Sequence, residues 1–276
     1  MIWYNGNLMA ADELRMSPFD LGLTVGLGVF ETMACYDGNV FAYDLHHKRM
    51  VSAAGRLGLE APDAATIKSA IGELIVANDA QAGRFRIRVT LSGGVNPLSG
   101  GDEPSGVMVT ACAAPVVDDQ GLLKLAWVPF VLNERGATAG LKSTSYAEHL
   151  LAYRHALRLG ADEGLMLNSQ GLLAEGSMSN VFLVKDGVVM TPSLASGCLP
   201  GVTRQLVITL CSKLGISVLE RDLEVVDVEK ADEIFLTNSL REVQAAALLE
   251  AEPSAIGATC SRIANAYAAQ VREELG

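Results

Sequence analysis

The chain has 276 residues and a formal net charge of −11, from 32 acidic and 21 basic side chains, and half of its residues are hydrophobic. This length allows one large domain or two modest ones, and the negative charge disfavours binding to nucleic-acid phosphates. The apolar residues fall in short runs rather than in a membrane-spanning stretch, and the opening "MIWYNGNLMAADELR" lacks the pattern of a signal peptide. We therefore expect a cytoplasmic protein with no membrane or nucleic-acid partner.

The sequence has no pattern typical of a metal site or a disulfide framework. Its cysteines are far apart and form no CxxC motif, so we expect reduced core cysteines. His46 and His47 are adjacent rather than one helical turn apart, which is typical of a helix surface and not of a metal site. The cysteines are Cys35, Cys112, Cys198, Cys211 and Cys260.

The first half of the chain mixes strand and helix patterns. "MIWYNGNL" and "MACYDGNVFAY" each predict a hairpin, because β-branched and aromatic residues flank an Asn-Gly or Asp-Gly turn. "YDLHHKRMVSAAGRLGL" and "DAATIKSAIGELIVAND" have the apolar spacing of helices, and "RFRIRVTLSGG" and "SGVMVTACAAP" are typical of strands. We expect a first domain over residues 1–116, followed by the linker-like "PVVDDQG".

The second half, residues 122–276, has the same mixture. Helices are predicted from about Tyr146 to Leu159, in "TRQLVITLCSKLG" and in "PSAIGATCSRIANAYAAQVREEL". Strands are predicted in "LLKLAWVPFVL", "EGLMLN", "NVFLVKDGVVMTP", "SVLERDL" and "EIFLTNS". The sequence therefore predicts an α+β protein with two domains of similar size.

Lys142 differs from the other six lysines in its surroundings. The others lie in polar or acidic segments, on outer helix positions, in a turn or on an alternating strand. In "ATAGLKSTSYAEHLL", by contrast, glycine, leucine and small hydroxyl residues flank the lysine, and packing there would favour a neutral, nucleophilic amine suited to Schiff-base chemistry. Taken alone, the pattern also fits a surface lysine at the start of a helix.

Three further segments offer groups that hold charge. Glu175 in "LLAEGSMSNVFLV" is followed by hydroxyl and amide donors that would orient a carboxylate, and "GSMSN" is not the elbow of a serine hydrolase. "SGCLPGVTRQLVI" runs from a glycine turn into a helix, where N–H groups and Thr203 would hold a phosphate or simply cap the helix. "FLTNSLREV" places Thr237, Asn238 and Ser239 at a strand end, where binding sites often lie.

Together and in this order, six segments resemble the class IV aminotransferase family, the fold-type IV enzymes that use pyridoxal 5'-phosphate (PLP). They are "SPFDLGLTVGLGVFETM", "HHKRM", "GLKSTSY", "EGSMSNVF", "GVTRQLV" and "FLTNSLREV". The resemblance implies a two-domain, D-amino acid aminotransferase-like architecture and a homodimer, with the active site at the domain interface. It also implies a small-molecule amine or amino acid as the substrate.

The resemblance assigns roles to the charged residues. Lys142 matches the lysine that bonds covalently to PLP and later moves protons at the substrate carbon. Glu175 matches the acid that accepts a hydrogen bond from the pyridine nitrogen and so lets the ring act as an electron sink. Arg49, in "HHKRM", matches a basic ligand of the phosphate.

The same resemblance assigns the remaining cofactor contacts. Val202 and Thr203 match the helix start that cups the phosphate, and Asn238 with Ser239 match the loop that closes the cup. Tyr146 resembles a tyrosine beside the phenolic oxygen of the cofactor. No metal is implied.

The reaction is open between elimination and transamination. "GVFETMACYDG" resembles 4-amino-4-deoxychorismate lyase, an enzyme of folate biosynthesis, because Thr32 and Ala34 stand where branched-chain aminotransferases typically have the glycine and arginine of "FEGIR". D-amino acid aminotransferases have a basic carboxylate trap in a region where this chain, from Val89 to Leu123, has no lysine or arginine. We therefore expect the lyase, which gives 4-aminobenzoate and pyruvate, with Thr32 assisting proton delivery to the departing group.

The other activities of the family stay as alternatives. They are those of a branched-chain or D-amino acid aminotransferase or an (R)-amine transaminase, and more remotely a non-catalytic PLP-binding protein. The lyase substrate carries two carboxylates and needs cations to bind them. Arg135 is one candidate, and Arg84, Arg86 and Arg88, which alternate along a predicted strand, are the others.

Overall fold

The computed structural model describes residues 1–95, 106–113, 121–251 and 256–276, and its contacts divide the chain into two compact units. Unit 1 comprises Met1–Val116 and Leu141–Tyr146, together with Leu275. Unit 2 comprises Val117–Gly140 and Ala147–Glu274, together with Gly276. Helices combine with two separate sheets, which confirms the predicted α+β class. The domain limits 1–116 and 122–276 stay a prediction, and all of "PVVDDQG" except its last glycine lies outside the described residues.

Unit 1 contains a six-stranded antiparallel sheet. Its strands are β1 (Ile2–Tyr4), β2 (Asn7–Met9), β3 (Gly28–Tyr36), β4 (Asn39–Val40), β5 (Arg84–Ser92) and β6 (Val107–Ala113). Their order across the sheet is β2-β1-β6-β5-β3-β4. Both predicted hairpins are confirmed, and the paired turn residues Asn5-Gly6 and Asp37-Gly38 have the positive φ angles that tight hairpin turns require.

The helices of unit 1 are α1 (Leu21–Thr24), α2 (Tyr43–Arg56) and α3 (Ala64–Ala77), and the last two match the predicted helices. Asp63 caps α3 by accepting a hydrogen bond from the Thr66 N–H. Apolar residues of α2 and α3 share one core with Val29 and Met33 of β3. Because successive strand residues point to opposite faces, Phe30 and Thr32 lie on the sheet face away from this core.

The segment Leu141–Tyr146 belongs to unit 1 because its backbone pairs with β3. The Phe30 N–H donates to the Lys142 carbonyl at 2.8 Å, and the Thr144 N–H donates to the Gly28 carbonyl at 2.9 Å. The expected second domain included Lys142, whereas these bonds join the lysine to the sheet of unit 1.

Unit 2 contains an eight-stranded mixed sheet in which three of the neighbouring pairs are parallel. Its strands are β7 (Leu123–Leu132), β8 (Glu163–Asn168), β9 (Leu173–Gly176), β10 (Asn180–Lys185), β11 (Val188–Pro192), β12 (Val218–Arg221), β13 (Glu233–Asn238) and β14 (Glu242–Leu248). Their order across the sheet is β12-β11-β10-β13-β14-β7-β8-β9. The four-residue strand β9 and the seven-residue strand β14 were not predicted.

Four helices complete unit 2: α4 (Ala147–Arg158), α5 (Val202–Lys213), α6 (Val225–Glu229) and α7 (Ala258–Leu275). The three longer ones match predicted helices, although the start of the last predicted segment, residues 253–255, lies outside the described residues. Ala152 and Ala156 of α4 pack with Met166 of β8 and Ala174 of β9 in one apolar cluster. Across the described part of the chain, no helix is both long and apolar enough to cross a membrane.

Two expectations about single residues are wrong. Cys112 is exposed, whereas the other four cysteines are buried. His46 is buried at 2% exposure and does not lie on the helix surface, because its ring nitrogen Nδ1 is 2.8 Å from a carboxylate oxygen of Glu31. The described residues contain no cluster of side chains that could hold a metal ion.

Candidate active site

Lys142 is half-buried and lies against two aromatic rings of unit 1. Its Nζ is 4.6 Å from the centroid of the Phe30 ring and 5.5 Å from that of Tyr146. The two rings meet edge to face, with centroids 5.2 Å apart. The predicted neighbours Lys142 and Tyr146 therefore lie together, and an amine in this setting is partly shielded from water.

Arg88 contacts the same phenylalanine. Its guanidinium carbon is 3.8 Å from the Phe30 ring centroid, and its Nε donates to the Thr90 hydroxyl at 3.1 Å. Burial and the neighbouring Arg86 lower the pKa of Arg88. Arg88 is thus a cation on β5 whose contacts, among the described residues, are a ring and a hydroxyl rather than a carboxylate.

Small residues after the lysine hold the backbone close to β3. The Thr144 and Ser145 hydroxyls both donate to the Gly26 carbonyl, at 2.7 and 3.0 Å. A Cβ on Gly28 would lie 2.6 Å from the Leu91 carbonyl oxygen and 2.9 Å from the Thr144 hydroxyl, so glycine permits this approach. The hydroxyls of these small residues therefore fix the Lys142 segment against β3.

Arg49 is held on the core side of the same sheet by Glu31. Its Nε and Nη2 donate to the two carboxylate oxygens at 2.8 and 2.6 Å, and His46 approaches the same carboxylate at 2.8 Å. Burial alone would raise the pKa of Glu31, but the charge and hydrogen bonds of Arg49, together with His46, lower it to about 2. Burial lowers the pKa of His46, so the neutral ring donates from Nδ1.

Thr32 follows Glu31 in sequence, but its side chain points to the opposite face of the sheet. It is half-buried on the face of β3 that carries Phe30. It is paired across the sheet with Arg88. Thr32 is therefore on the same face as the Lys142 amine, and Arg49 approaches from the core side.

In unit 2, Glu175 is a buried carboxylate with three donors. The Leu199 N–H and the Asn180 side-chain amide approach Oε2 at 2.9 and 3.4 Å, and His149 Nε2 lies 3.1 Å from Oε1. Glu175 is 5% exposed and belongs to β9. The carboxylate is thus fixed from three sides.

The start of α5 lies next to the residues that hold Glu175. Gly201 is the N-cap of α5 and makes no side-chain cap hydrogen bond, and Val202 and Thr203 form the buried first turn. A Cβ on Gly201 would collide with the side-chain oxygen of Asn180, so this position requires glycine. First-turn N–H groups of a helix have no intrahelical acceptor and suit an anion.

The loop after β13 is fixed by Asn238. Its amide donates to the Ser179 hydroxyl at 2.9 Å and to the Met178 carbonyl at 3.3 Å, while its oxygen accepts the N–H groups of Leu240 and Arg241. Asn238 thus organises the loop, and Ser239 lies half-buried within it. The Asn180–Thr237 pair of neighbouring strands brings this loop and the residues beside Glu175 to the same end of the sheet.

Glu163 contacts the turn between β9 and β10, which Asn238 also contacts. It is fully buried and accepts the Met178 N–H at 2.6 Å and the Ser179 hydroxyl at 3.1 Å, and it forms an ion pair with Arg241. Burial raises the pKa of Glu163 more than the Arg241 charge and these donors lower it. The carboxylate connects β8, the turn after β9 and the loop after β13.

The predicted residues therefore form two groups, each within one unit. Lys142, Tyr146, Thr32 and Arg49 belong to unit 1, and the others belong to unit 2. The proposed roles of the predicted residues toward a cofactor stay predictions. The predicted residues that belong to unit 2 are Glu175, Val202, Thr203, Asn238 and Ser239.

Sequence reasoning missed the partners that hold the predicted residues. Glu31 had a signal, since a glutamate at a core-facing strand position, between Val29 and Met33, requires a charged partner. No histidine has an evident triad partner in the sequence, whereas the structure pairs His46 with Glu31 and His149 with Glu175. The first pair spans 15 residues and the second 26, and no local pattern reports such contacts.

Arg135 is the weakest of the candidate cations. Its side chain is 81% exposed, and its contact is with the adjacent Glu134 at 3.7 Å. Arg84, Arg86 and Arg88 alternate along β5 as predicted, so their side chains share one face. Arg88 is the member of this set that contacts the ring beside Lys142.

Comparison with known proteins identifies the family of the chain. Residues 28–249 match the family described as amino-transferase class IV. The chain is 31% identical over 247 residues to the aminodeoxychorismate lyase of Bacillus subtilis, with 88% of this chain and 84% of that protein covered. It is 30% identical over 259 residues to the branched-chain-amino-acid aminotransferase of Salmonella typhimurium, with 88% and 82% covered.

A solved structure extends the similarity to the fold. The branched-chain aminotransferase of Thermoproteus uzoniensis, crystallised with norvaline, superposes with a TM-score of 0.89 at 28% identity, over 99% of this chain and 95% of that one. The architecture is thus that of the fold-type IV aminotransferases. From these matches, the chain belongs to the class IV aminotransferase family, whose members use PLP.

Proposed function

We propose that this chain is a PLP-dependent enzyme that acts on the amino group of a small, carboxylate-bearing substrate. The observation that carries the proposal is that the Lys142 amine and the Arg88 guanidinium contact the same Phe30 ring. Because the two distances to the ring centroid are 3.8 and 4.6 Å, the amine nitrogen and the guanidinium carbon are no more than about 8.4 Å apart. A substrate bound at the amine would have this guanidinium nearby, and a guanidinium is well suited to a carboxylate.

The residues of unit 2 fit the other parts of PLP. A phosphate matches the first turn of α5, where the glycine cap leaves N–H groups for an anion. Thr237, at the end of β13, has a buried hydroxyl without a hydrogen-bond partner among the described residues, so a polar ligand near it would be favourable. The Thr203 hydroxyl is 3.5 Å from that of Tyr267, so the N–H groups of the first turn are the better phosphate donors.

In the proposed reaction, PLP supplies an aldehyde that takes up the amine and a ring that accepts electrons. Lys142 would bond to the aldehyde in the resting enzyme and, once displaced, take the proton from the carbon that bears the amine. Glu175 would accept a hydrogen bond from the ring nitrogen, and Arg49 would bind the phosphate while Glu31 orients its guanidinium. Tyr146, beside the Lys142 amine, would contact the phenolic oxygen.

The first candidate reaction is the elimination catalysed by 4-amino-4-deoxychorismate lyase, a step of folate biosynthesis. Thr32 supports it, because a hydroxyl on the face of Lys142 can deliver a proton to the departing group. In this elimination, the ether bond to the enolpyruvyl group of the substrate breaks, and the substrate ring loses the proton on its amine-bearing carbon. The products, 4-aminobenzoate and pyruvate, form without water or an oxidant. The similarity to the Bacillus subtilis lyase supports this choice.

Transamination by a branched-chain aminotransferase is the second candidate. The aminotransferases of Salmonella typhimurium and Thermoproteus uzoniensis support it, and both cover most of the chain. Phe30 gives the Lys142 surroundings an apolar wall, which suits an aliphatic side chain. The fate of the cofactor separates the two reactions, since elimination regenerates the aldehyde and half of a transamination leaves the pyridoxamine form.

The test is to incubate the PLP-loaded protein separately with aminodeoxychorismate, L-leucine, D-alanine and an (R)-amine. The proposal expects 4-aminobenzoate and pyruvate in equal amounts, with the aldehyde absorbance retained, from aminodeoxychorismate. Conversion of the cofactor to the pyridoxamine form by L-leucine, without 4-aminobenzoate, would reject the lyase in favour of the second candidate. Arg88→Gln should raise the KM for the carboxylate substrates by at least tenfold, about the effect of losing one charged hydrogen bond.

We also propose that the chain works as a cytoplasmic homodimer, which the family resemblance implies. Sedimentation at micromolar concentration should then give twice the 29.1 kDa mass of one chain. A sedimentation mass equal to that of one chain at micromolar concentration would reject the dimer.

A further inference from the structure

His149 contacts the carboxylate that the proposed function assigns to the ring nitrogen of PLP. It is the third residue of α4, and its Nε2 lies 3.1 Å from Glu175 Oε1. Both side chains are largely buried, with 16% and 6% of their surfaces exposed. No part of the family resemblance assigned a role to this histidine.

The packing of α4 explains why the two residues meet. Glu175 is paired with Met166 of β8, and Met166 packs against Ala152 and Ala156 of α4. Directly opposite residues on antiparallel strands point to the same face, so Glu175 faces this helix. His149 lies in the first turn of α4, at the N-terminal end of the helix, and α4 follows the Lys142 segment in sequence.

The hydrogen bonds of Glu175 leave a defined place for one more donor. A carboxylate has about four acceptor sites. Leu199 and Asn180 approach Oε2, and His149 approaches Oε1, so donors of the described residues occupy three of them. The remaining site is on Oε1, and the bond from His149 determines which way this oxygen turns.

We propose that His149 is a positioning residue that donates from Nε2 to Glu175 and fixes Oε1 to receive the ring N–H of PLP. The carboxylate accepts only, so the hydrogen of the imidazole lies on Nε2. Without this donor, the carboxylate keeps its two bonds on Oε2, but Oε1 is no longer held in one direction. The inference rests on the proposed function, because it takes PLP as the ligand and Glu175 as the partner of the ring nitrogen.

The experiment compares matched variants of the apoprotein loaded with PLP that is labelled with nitrogen-15 in its ring. His149→Leu removes the donor at similar volume, and His149→Gln keeps an amide donor on a side chain of similar reach. His155→Leu is the control, since His155 is on the same helix and contacts the Phe130 ring rather than Glu175. Glu175→Gln reports on the role of the carboxylate itself. The readouts are the PLP dissociation constant and the nitrogen-15 chemical shift of the bound ring.

We expect His149→Leu to weaken PLP binding about tenfold, the effect of one hydrogen bond to a charged group, and to move the nitrogen-15 signal toward that of an unprotonated ring. His149→Gln should keep the wild-type signal, and its dissociation constant should rise by less than about threefold, since it retains the donor. His155→Leu should leave both readouts unchanged. A purely structural histidine would lower the melting temperature of both His149 variants without this difference in the ring signal.

Two results would overturn the inference, and they have different meanings. If Glu175→Gln moves the ring signal but His149→Leu retains the wild-type signal and affinity, His149 does not position the carboxylate and the proposed function stands. If the wild type does not bind PLP, or if Glu175→Gln leaves the ring signal unchanged, the proposed role of Glu175 fails and the inference fails with it.

Discussion

At the scale of single residues, the charged groups of the candidate site are held by partners that are distant in sequence. Arg49 is oriented by Glu31, and Glu175 by His149, Asn180 and the Leu199 N–H. A long cationic side chain has many rotamers, and a bidentate bond to a buried carboxylate restricts them. The Arg49 guanidinium is therefore arranged before a ligand arrives.

Glu31→Gln should lower the free energy of unfolding by about 3 kcal/mol at pH 7, because it leaves Arg49 without its counter-charge. The folded pKa of Glu31, about 2, is below its ordinary value of 4.5, so its ionised form stabilises the protein above pH 4.5. That stabilisation is lost as the pH falls from 4.5 toward 2. Urea unfolding of both proteins across this range should show the difference between wild type and variant shrinking with falling pH. A difference that stays constant with pH would contradict the assigned charge of Glu31.

At the scale of elements, the start of α5 depends on a glycine for packing and not for its backbone angle. Gly201 has a φ of −64°, which any residue adopts, but its Cβ would collide with the Asn180 side chain. Asn180 also bonds to the Leu199 carbonyl at 2.8 Å and to Glu175, so it cannot move without loss. Asn180 therefore contacts both the start of α5 and the Glu175 carboxylate, and it fixes the position of one relative to the other.

Gly201→Ala should therefore destabilise the protein by about 2 kcal/mol, in the range of overpacked sites, and weaken PLP binding. Gly72→Ala is the matched control, since Gly72 is exposed within α3 and nothing lies within 4 Å of its Cβ position. This control should be more stable than wild type by about 0.5 to 1 kcal/mol, because alanine favours the helix. Denaturant unfolding and a PLP titration measure both effects. Equal stability of the two variants would show that the contact with Asn180 is absent in solution.

The elements that the sequence predicted are those with local signals. The hairpins have Asn-Gly and Asp-Gly turns, and α2 to α5 have apolar spacing over 12 to 14 residues. Strand β9 has four residues, too few for an alternating pattern, and it was missed although it carries Glu175. The pairing of Ser143 with Val29 joins positions more than 100 residues apart, and only the folded chain shows it.

The sequence singled out charged residues of the candidate site, but not the residues that orient them. The order of six weak motifs was enough to single out Lys142 and Glu175, because their residue types and sequence order match the family. Glu31, His149 and Asn180, which orient the charged groups, do not form a motif with the residues they hold. Their roles follow from burial and hydrogen bonds, which depend on how distant strands and helices pack.

Across the whole molecule, the two units carry different chemical groups. Unit 1 has the amine of Lys142, Arg49 and a face with three arginines, which attracts carboxylates locally in a chain whose net charge is −11. Unit 2 has the Glu175 carboxylate and the helix start suited to a phosphate. The family membership and the fold explain why both sets occur in one chain.

The proposed function depends on covalent attachment of PLP to Lys142, which reductive trapping detects. The protein is loaded with PLP, reduced with borohydride, digested and mapped by mass spectrometry, with Lys142→Ala treated in parallel. We expect one phosphopyridoxyl group per chain, on the peptide that contains Lys142, and none on the variant. A label on another lysine, or equal labelling of Lys142→Ala, would contradict it.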